Sequence, residues 1–172
     1  MNVPPALAPA MTGRTRTVTW DDPHAISQHV GTLSGLEIAR RIVDKRLPTP
    51  PIARLLGFEL VEAAEGFCAF ACKPEEFHYN PIGVVHGGLA MTLLDSAMGS
   101  AVQTTLDAAQ AYTTLDVNVH LTRAITKDTP LLRAEGRVVH SGRTMRTASG
   151  ELRDAAGKLY AHGTTTCLVM QA

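Results

Sequence analysis

The sequence predicts an α+β domain in which an antiparallel β-sheet wraps around one long, apolar helix. The stretch 86–105 consists mainly of helix formers with little β-branching. Two strand-like segments precede it and four follow it, separated by turns rich in glycine. Consecutive strands joined by such short turns run antiparallel, and a single apolar helix needs a sheet to cover it.

The N-terminal part of the chain predicts an arm followed by one short helix. Residues 1–33 hold four of the ten prolines and show no sustained hydrophobic period, which indicates a loosely ordered arm. From Ser34, a typical N-cap residue, apolar side chains recur at near-helical spacing until Pro48 interrupts them. We therefore predict a helix at 34–46.

We place a domain boundary at residue 50, between this arm with its helix (1–50) and a sheet domain (51–172). The sheet domain begins with a further short turn of helix at 52–56. Its strands are predicted at 57–64 and 67–74, before the long helix, and at 114–122, 130–140, 144–153 and 158–169, after it.

The clearest strand signal is the alternation within 114–122. Apolar residues alternate with polar ones over nine positions, which is the period of a strand with one buried face. The predicted buried side chains are Leu115, Val117, Val119 and Leu121.

Composition excludes several classes of function. With 172 residues, 45% of them hydrophobic, and 16 basic against 16 acidic side chains, the chain fits one soluble domain without an electrostatic footprint for nucleic acid or an anionic membrane. The longest apolar stretch, Leu89–Val102, contains Asp95 and is shorter than the roughly 20 residues of a membrane span. The first dozen residues have no basic region before an apolar core, so we expect no secretory signal and a cytoplasmic location.

The cysteines indicate neither a disulfide nor a metal site. There are three, and Cys68 and Cys72 lie in one predicted strand, about 13 Å apart at the extended rise. The cysteines and seven histidines show no paired spacing typical of zinc ligands. We expect no bound metal.

The long helix begins with a glycine pair. Gly87 and Gly88 let another group approach the backbone closely, and the first N–H groups of a helix are unpaired at the positive end of its dipole. Such a site can stabilise an oxyanion. The alternative interpretation is that the two glycines only allow the helix to pack closely against the sheet.

Asp95 is a candidate acid or base within this helix. Its neighbours Leu94 and Met98 are apolar, and a carboxylate in such surroundings is costly unless it has a partner or the site is wet. In the alternative interpretation, Asp95 belongs to an ordinary polar stripe with Thr92 and Ser96. His86 and Asn80, which flank the glycines, are by themselves typical of a helix cap and a turn.

Taken together, these residues resemble a family signature. Asn80-Pro-x-Gly-x-x-His86-Gly87-Gly88, followed seven residues later by Asp95, is similar to the motif of the hotdog-fold thioesterases of the PaaI type. The resemblance covers about Leu56 to Val169. It implies the hotdog fold, an antiparallel sheet around a long central helix, to which this chain adds an N-terminal helical extension.

The resemblance also implies catalytic roles. Asp95 acts as nucleophile or general base on an acyl-CoA thioester, and the Gly87 N–H stabilises the oxyanion. Asn80 holds the thioester carbonyl or the attacking water, and His86 supports the loop. Whether Asp95 is nucleophile or base stays open.

Further residues are implied on the substrate side. A hydroxyl on the strand after the helix assists catalysis, with Thr114 as the best match and Thr113 as the alternative, and Gly88 contributes to substrate binding. Arg143, in the Ser-Gly-Arg-Thr hairpin, is implied in binding the CoA phosphates, with Arg146 as a second candidate. A solvated hairpin charge is the alternative. CoA would be part of the substrate, so no separate cofactor is expected.

Helix geometry predicts a site shared between subunits. Gly87 and Asp95 are eight residues apart, about 12 Å along a helix axis, whereas both must lie roughly 3 Å from one thioester carbon. The resemblance implies a homodimer, often paired into a homotetramer.

The rival functions are a non-catalytic acyl-CoA sensor or carrier of the same fold, and a hydratase, for which no matching Asp–His pair is found. The sequence leaves the acyl group open among aromatic, short and medium chains.

Overall fold

The computed structural model describes residues 12–171, and its sheet and helix confirm the predicted α+β class. The six strands form one antiparallel sheet in the order β1-β2-β4-β5-β6-β3. The elements are α1 (His24–Ser27), α2 (Gly35–Val43), α3 (Pro51–Leu56), β1 (Phe58–Ala64), β2 (Phe67–Cys72), a 3₁₀ turn (Glu76–His78), α4 (Gly87–Gln103), β3 (Gln110–Leu121), β4 (Leu132–Ser141), β5 (Met145–Asp154) and β6 (Leu159–Gln171).

Helix α4 is the centre of the core and packs against all six strands. Leu93, Leu94 and Met98 are fully buried on it. The sheet approaches the backbone of α4 most tightly at Gly136 of β4, where a Cβ atom would lie 2.2 Å from the carbonyl oxygen of Ala97. Only glycine permits that approach. No helix among residues 12–171 is long and apolar enough to cross a membrane.

Strand β3 departs from the predicted alternation. It begins at Gln110, four residues before the predicted start, and a β-bulge interrupts its pairing with β6 between Thr114 and Asp116. Leu115 is the extra residue of the bulge and is 55% exposed, so its predicted burial was wrong. Leu121, at the end of this edge strand, is also exposed, whereas Val117 packs against the core as predicted.

The predicted first helix is confirmed as α2, with a shorter span. Ser34 caps it and forms a reciprocal capping box with Glu37, and the helix ends at Val43 because Lys45 turns the chain with a positive φ of 59°. Helix α2 packs against β1 and adds apolar side chains to the core. The one-turn helix α1 was missed, since four residues carry no readable period. Residues 1–11 of the predicted arm lie outside the described residues, and the boundary at residue 50 stays a prediction.

Candidate active site

The start of α4 presents one free backbone donor. His86 is the N-cap, and its Nδ1 accepts a hydrogen bond of 2.9 Å from the Gly88 N–H. That bond occupies the Gly88 donor and leaves the ring proton of a neutral His86 on Nε2. Among residues 12–171, the Gly87 N–H meets no acceptor. The free donor at the positive end of the helix dipole is therefore that of Gly87.

Asn80 shapes the loop that leads into this helix. Its Oδ1 accepts hydrogen bonds from the N–H groups of Ile82 at 3.0 Å and Val84 at 3.3 Å. The side-chain oxygen is thus used locally, while the side-chain NH₂ has no acceptor within the described part of the chain. This NH₂ is available to a bound carbonyl or water.

Asn80, His86 and Gly87 share one cleft of about 380 Å³. Two residues that sequence reasoning missed also line it, Leu121 and Arg123. Leu121 covers Gly87 so closely that a Cβ added there would meet its Cδ1 at 2.6 Å. The available signal was their place at the end of the alternating strand: Leu121 is its last residue in the structure and Arg123 follows it. Within the described residues, no acidic side chain lines this cleft.

Asp95 lies elsewhere on α4, paired with a hydroxyl of the edge strand. The Thr114 Oγ1 donates a hydrogen bond of 3.2 Å to Asp95 Oδ1, and both residues are partly buried. Thr113 is exposed, one position along the strand. Between the two threonines, the structure therefore brings Thr114 to the carboxylate.

Burial affects two ionisable side chains near Asp95, those of Tyr112 and Cys167. Burial raises the pKa of Tyr112 well above its usual value, and the charge of Asp95 adds to the effect. Burial likewise raises the pKa of the Cys167 thiol, against the hydrogen bonds of Thr165 and Thr114, which lower it. Both groups are therefore neutral at physiological pH.

Arg143 and Arg146 lie at the far end of α4 from Gly87. Arg146 is 8% exposed, and its Nη1 donates a hydrogen bond of 2.7 Å to the Thr105 carbonyl just after the helix. Its buried guanidinium holds the β4–β5 hairpin against the core and is not presented to a phosphate. Arg143 is exposed at the tip of that hairpin. Helix α4, with 17 residues and a length of about 25 Å, lies between this end and Gly87.

The predicted catalytic residues thus fall into two groups within one chain. The first is the cleft at the start of α4, with Asn80, His86 and Gly87. The second is Asp95 with Thr114, about 12 Å further along the helix axis. The first group offers a free backbone N–H at the start of a helix, and the second group offers a carboxylate.

Comparisons with known proteins agree with this architecture. The family model of the thioesterase superfamily matches residues 82–161. Acyl-coenzyme A thioesterase 13 of Homo sapiens is 32% identical over 130 residues, which span 74% of this chain and 91% of the human protein.

Solved structures give the same result. The PaaI protein from the phenylacetic acid degradation operon of E. coli superimposes with a TM-score of 0.69 over 81% of this chain and 98% of its own, at 18% identity. A phenylacetic acid degradation-related protein of Ralstonia eutropha is 29% identical, with a TM-score of 0.67 over 76% of this chain and 98% of its own. The antiparallel sheet around one long helix, together with these structural matches, identifies the chain as a hotdog-fold protein. The chain belongs to the PaaI-type hotdog thioesterases of the thioesterase superfamily.

Proposed function

We propose that the protein hydrolyses acyl-CoA thioesters, with Asp95 as general base or nucleophile and the Gly87 N–H as oxyanion donor. The observation that carries the proposal is the hydrogen bond between Thr114 of β3 and Asp95, which is the only charged residue of α4. The hydrogen bond from Thr114 orients one carboxylate oxygen and leaves the other for water or for the thioester carbon. The human relative's name supplies the substrate class.

In this mechanism, Asp95 takes a proton from a water molecule that attacks the carbonyl carbon, or Asp95 attacks that carbon itself, and the carbonyl oxygen becomes negative. The free N–H of Gly87 and the dipole of α4 stabilise that charge. Collapse of this intermediate breaks the C–S bond, and the CoA thiolate leaves and takes up a proton from Asp95 or from water. If Asp95 is the nucleophile, a water molecule then hydrolyses the acyl-aspartyl anhydride and restores the carboxylate. The Asn80 NH₂ holds the carbonyl or the water. His86 fixes the loop by accepting the Gly88 N–H.

We further propose that each site is built from two subunits. One chain cannot bring Gly87 and Asp95 to the same thioester carbon, because about 12 Å of helix lies between them. Two α4 helices that lie antiparallel across a two-fold axis would place Asp95 and Thr114 opposite the Gly87 cleft of the partner subunit. Strand β3, which carries Thr114, is an open edge of the sheet with 12 residues and can pair with its copy.

The same arrangement of subunits suggests a role for Arg143 in binding CoA. In an antiparallel helix pair, the C-terminal end of one α4 lies beside the N-terminal end of the other. Arg143 would then approach the cleft of the partner subunit, where its charge can meet the phosphates of CoA. Pairing of two dimers into a homotetramer is the further expectation.

A panel of acyl-CoA thioesters, assayed by the thiol released, tests the proposed reaction. Asp95→Asn keeps the side-chain shape but removes the base or nucleophile, so kcat should fall at least a hundredfold with the fold intact. Asp128→Asn, an exposed loop position, is the matched control and should retain activity. Binding of acyl-CoA without turnover would favour a sensor or carrier, and full activity of Asp95→Asn would refute the assignment.

A further inference from the structure

We infer that Met91 of α4 contacts its own copy across the two-fold axis of a dimer, and that this contact sets the register in which Asp95 faces the partner subunit's Gly87. The inference rests on the proposed shared site and goes further by naming the residue that aligns the two subunits. Met91 does not line the cleft at the start of α4, and the proposed mechanism gives it no role.

Met91 is an exposed apolar residue on a helix that is otherwise well covered. It is 45% exposed. The sheet wraps around α4, and the other large apolar side chains of the helix are at most 5% exposed, namely Leu89, Leu93, Leu94, Met98 and Val102. The Met91 side chain therefore lies on the side of α4 that the sheet leaves open.

The two halves of the proposed site lie before and after Met91 on the helix. Gly87, Met91 and Asp95 follow one another at intervals of four residues, so they form one row along α4. Met91 is about 6 Å along the helix axis from each of the other two. A second helix that spans this row from Gly87 to Asp95 must lie over Met91.

Two-fold symmetry then decides which residue Met91 meets. In two antiparallel α4 helices that place position 95 of each opposite position 87 of the other, every residue faces the one equally far beyond the midpoint. The midpoint of these two positions is residue 91. Met91 thus faces Met91 of the partner subunit at the axis, and a displaced register would separate each Asp95 from its oxyanion donor.

A methionine suits this position. Its unbranched, flexible side chain fills irregular gaps, and the contact of two such side chains removes apolar surface from water. The row on α4 is also continuous with the open edge of the sheet, because Thr114 of β3 donates a hydrogen bond to Asp95. Helix row and strand edge form one surface, and a second copy of this chain covers both.

Opposite charges at position 91 test the contact. Met91→Lys and Met91→Glu are co-expressed with different affinity tags, and their dimers are counted by native mass spectrometry. Like charges face each other in each homodimer, and opposite charges face each other in the heterodimer. If each like-charge pair disfavours its homodimer about tenfold, heterodimers should rise from about half, the random fraction, to about 90%.

The matched control places the same charges at Asp128, an exposed loop position. Asp128→Lys and Asp128→Glu differ in net charge by the same amount, so they should give about half heterodimers. Added salt should reduce the preference at position 91, because it screens the two charges. Met91→Leu keeps an apolar contact of similar volume and should restore the homodimer.

A disulfide provides a second measurement if the charged variants do not fold. Cys68, Cys72 and Cys167 are buried, so the thiol of Met91→Cys is the one available for cross-linking. Facing Cα atoms of two packed helices lie roughly 4–5 Å apart, within the range that a disulfide spans. Mild oxidation should therefore join two Met91→Cys subunits, whereas two Asp128→Cys subunits should stay separate.

The outcomes separate this inference from the proposed function. A heterodimer fraction of about half at position 91, as at position 128, would overturn the Met91 contact. If the charged variants do not fold, the absence of the Met91→Cys disulfide would overturn it instead. None of these measurements involves thioester hydrolysis, so the contact can fail in a protein that hydrolyses acyl-CoA. A dimer with the Met91 contact that hydrolyses no acyl-CoA would refute the proposed function alone.

Discussion

Two inactive variants of this protein should restore each other's activity when they are mixed. Asp95→Asn removes the carboxylate and keeps the cleft, while Gly87→Pro removes the backbone N–H and keeps the carboxylate. In a heterodimer, the intact Asp95 of one subunit faces the intact Gly87 of the other, so one of the two sites is wild type.

The structure shows why Gly87→Pro is a clean perturbation. Gly87 is the first residue of α4, where proline is favoured, and His86 before it has φ −61° and ψ 133°, a conformation compatible with a following proline. An added Cβ meets only the flexible end of Leu121. Gly87→Ala makes the same contact and retains the N–H, so it is the matched control. Loss of an oxyanion donor costs about 10²- to 10³-fold in kcat.

Random exchange of equimolar subunits gives about half heterodimers, each with one wild-type site of two. Activity should therefore approach about a quarter of the native level, against about 1% or less for either parent. Subunits with different affinity tags allow the heterodimer to be purified, and it should show about half of the native kcat. A mixture of Asp95→Asn with Asp95→Ala is the negative control. A purified heterodimer with only background activity would refute the shared site and favour one built within a single chain.

Three further measurements address single residues. Thr114→Val removes the 3.2 Å hydrogen bond to Asp95 and should lower kcat about tenfold with little change in KM; an unchanged kcat would leave Thr114 without a role. Arg143→Ala should raise KM for CoA thioesters but not for thioesters of phosphate-free pantetheine, and added salt should reduce the difference; equal losses on both would make Arg143 structural. His78, 6% exposed, has a lowered pKa because of its burial, opposed by its hydrogen bond to the Leu56 carbonyl. The unfolded chain then takes up a proton first as pH falls below about 6.5, so the stability that neutral His78 provides is present above that pH and declines below it. The difference in Tm between wild type and His78→Gln should therefore narrow from pH 7.5 to pH 5.5; a constant difference would exclude this linkage.

The helices and strands were predictable where local chemistry determines them. Ser34 predicts the start of α2 because a hydroxyl side chain just before an apolar pattern of helical spacing is typical of an N-cap residue. The long apolar stretch predicts α4 because it consists mainly of helix formers, which are unfavourable in a strand. The start of β3 was placed at 114 because residues 110–113 do not alternate. They are in the sheet because Gln110 pairs with Gln171, a contact that no local pattern shows.

The β-bulge explains what could not be predicted at the site. Strict alternation places Thr114 and Val117 on opposite faces, yet the extra residue at Leu115 brings both to the side of α4. Thr114 reaches Asp95 for that reason. Arg146 was taken as an exposed hairpin cation, and only the packing of the hairpin on Thr105 shows that it is buried.

The two edges of the sheet differ in a way that bears on how large an assembly can grow. Strand β3 offers 12 residues, whereas β1 has seven and carries Glu59 and Glu62 in ion pairs with Lys45 and Arg133. Short and charged edges resist pairing with another chain. A subunit with one receptive edge closes into a pair through a two-fold axis and cannot extend into a ribbon. The fold can therefore keep a long, open edge strand without open-ended aggregation through strand pairing.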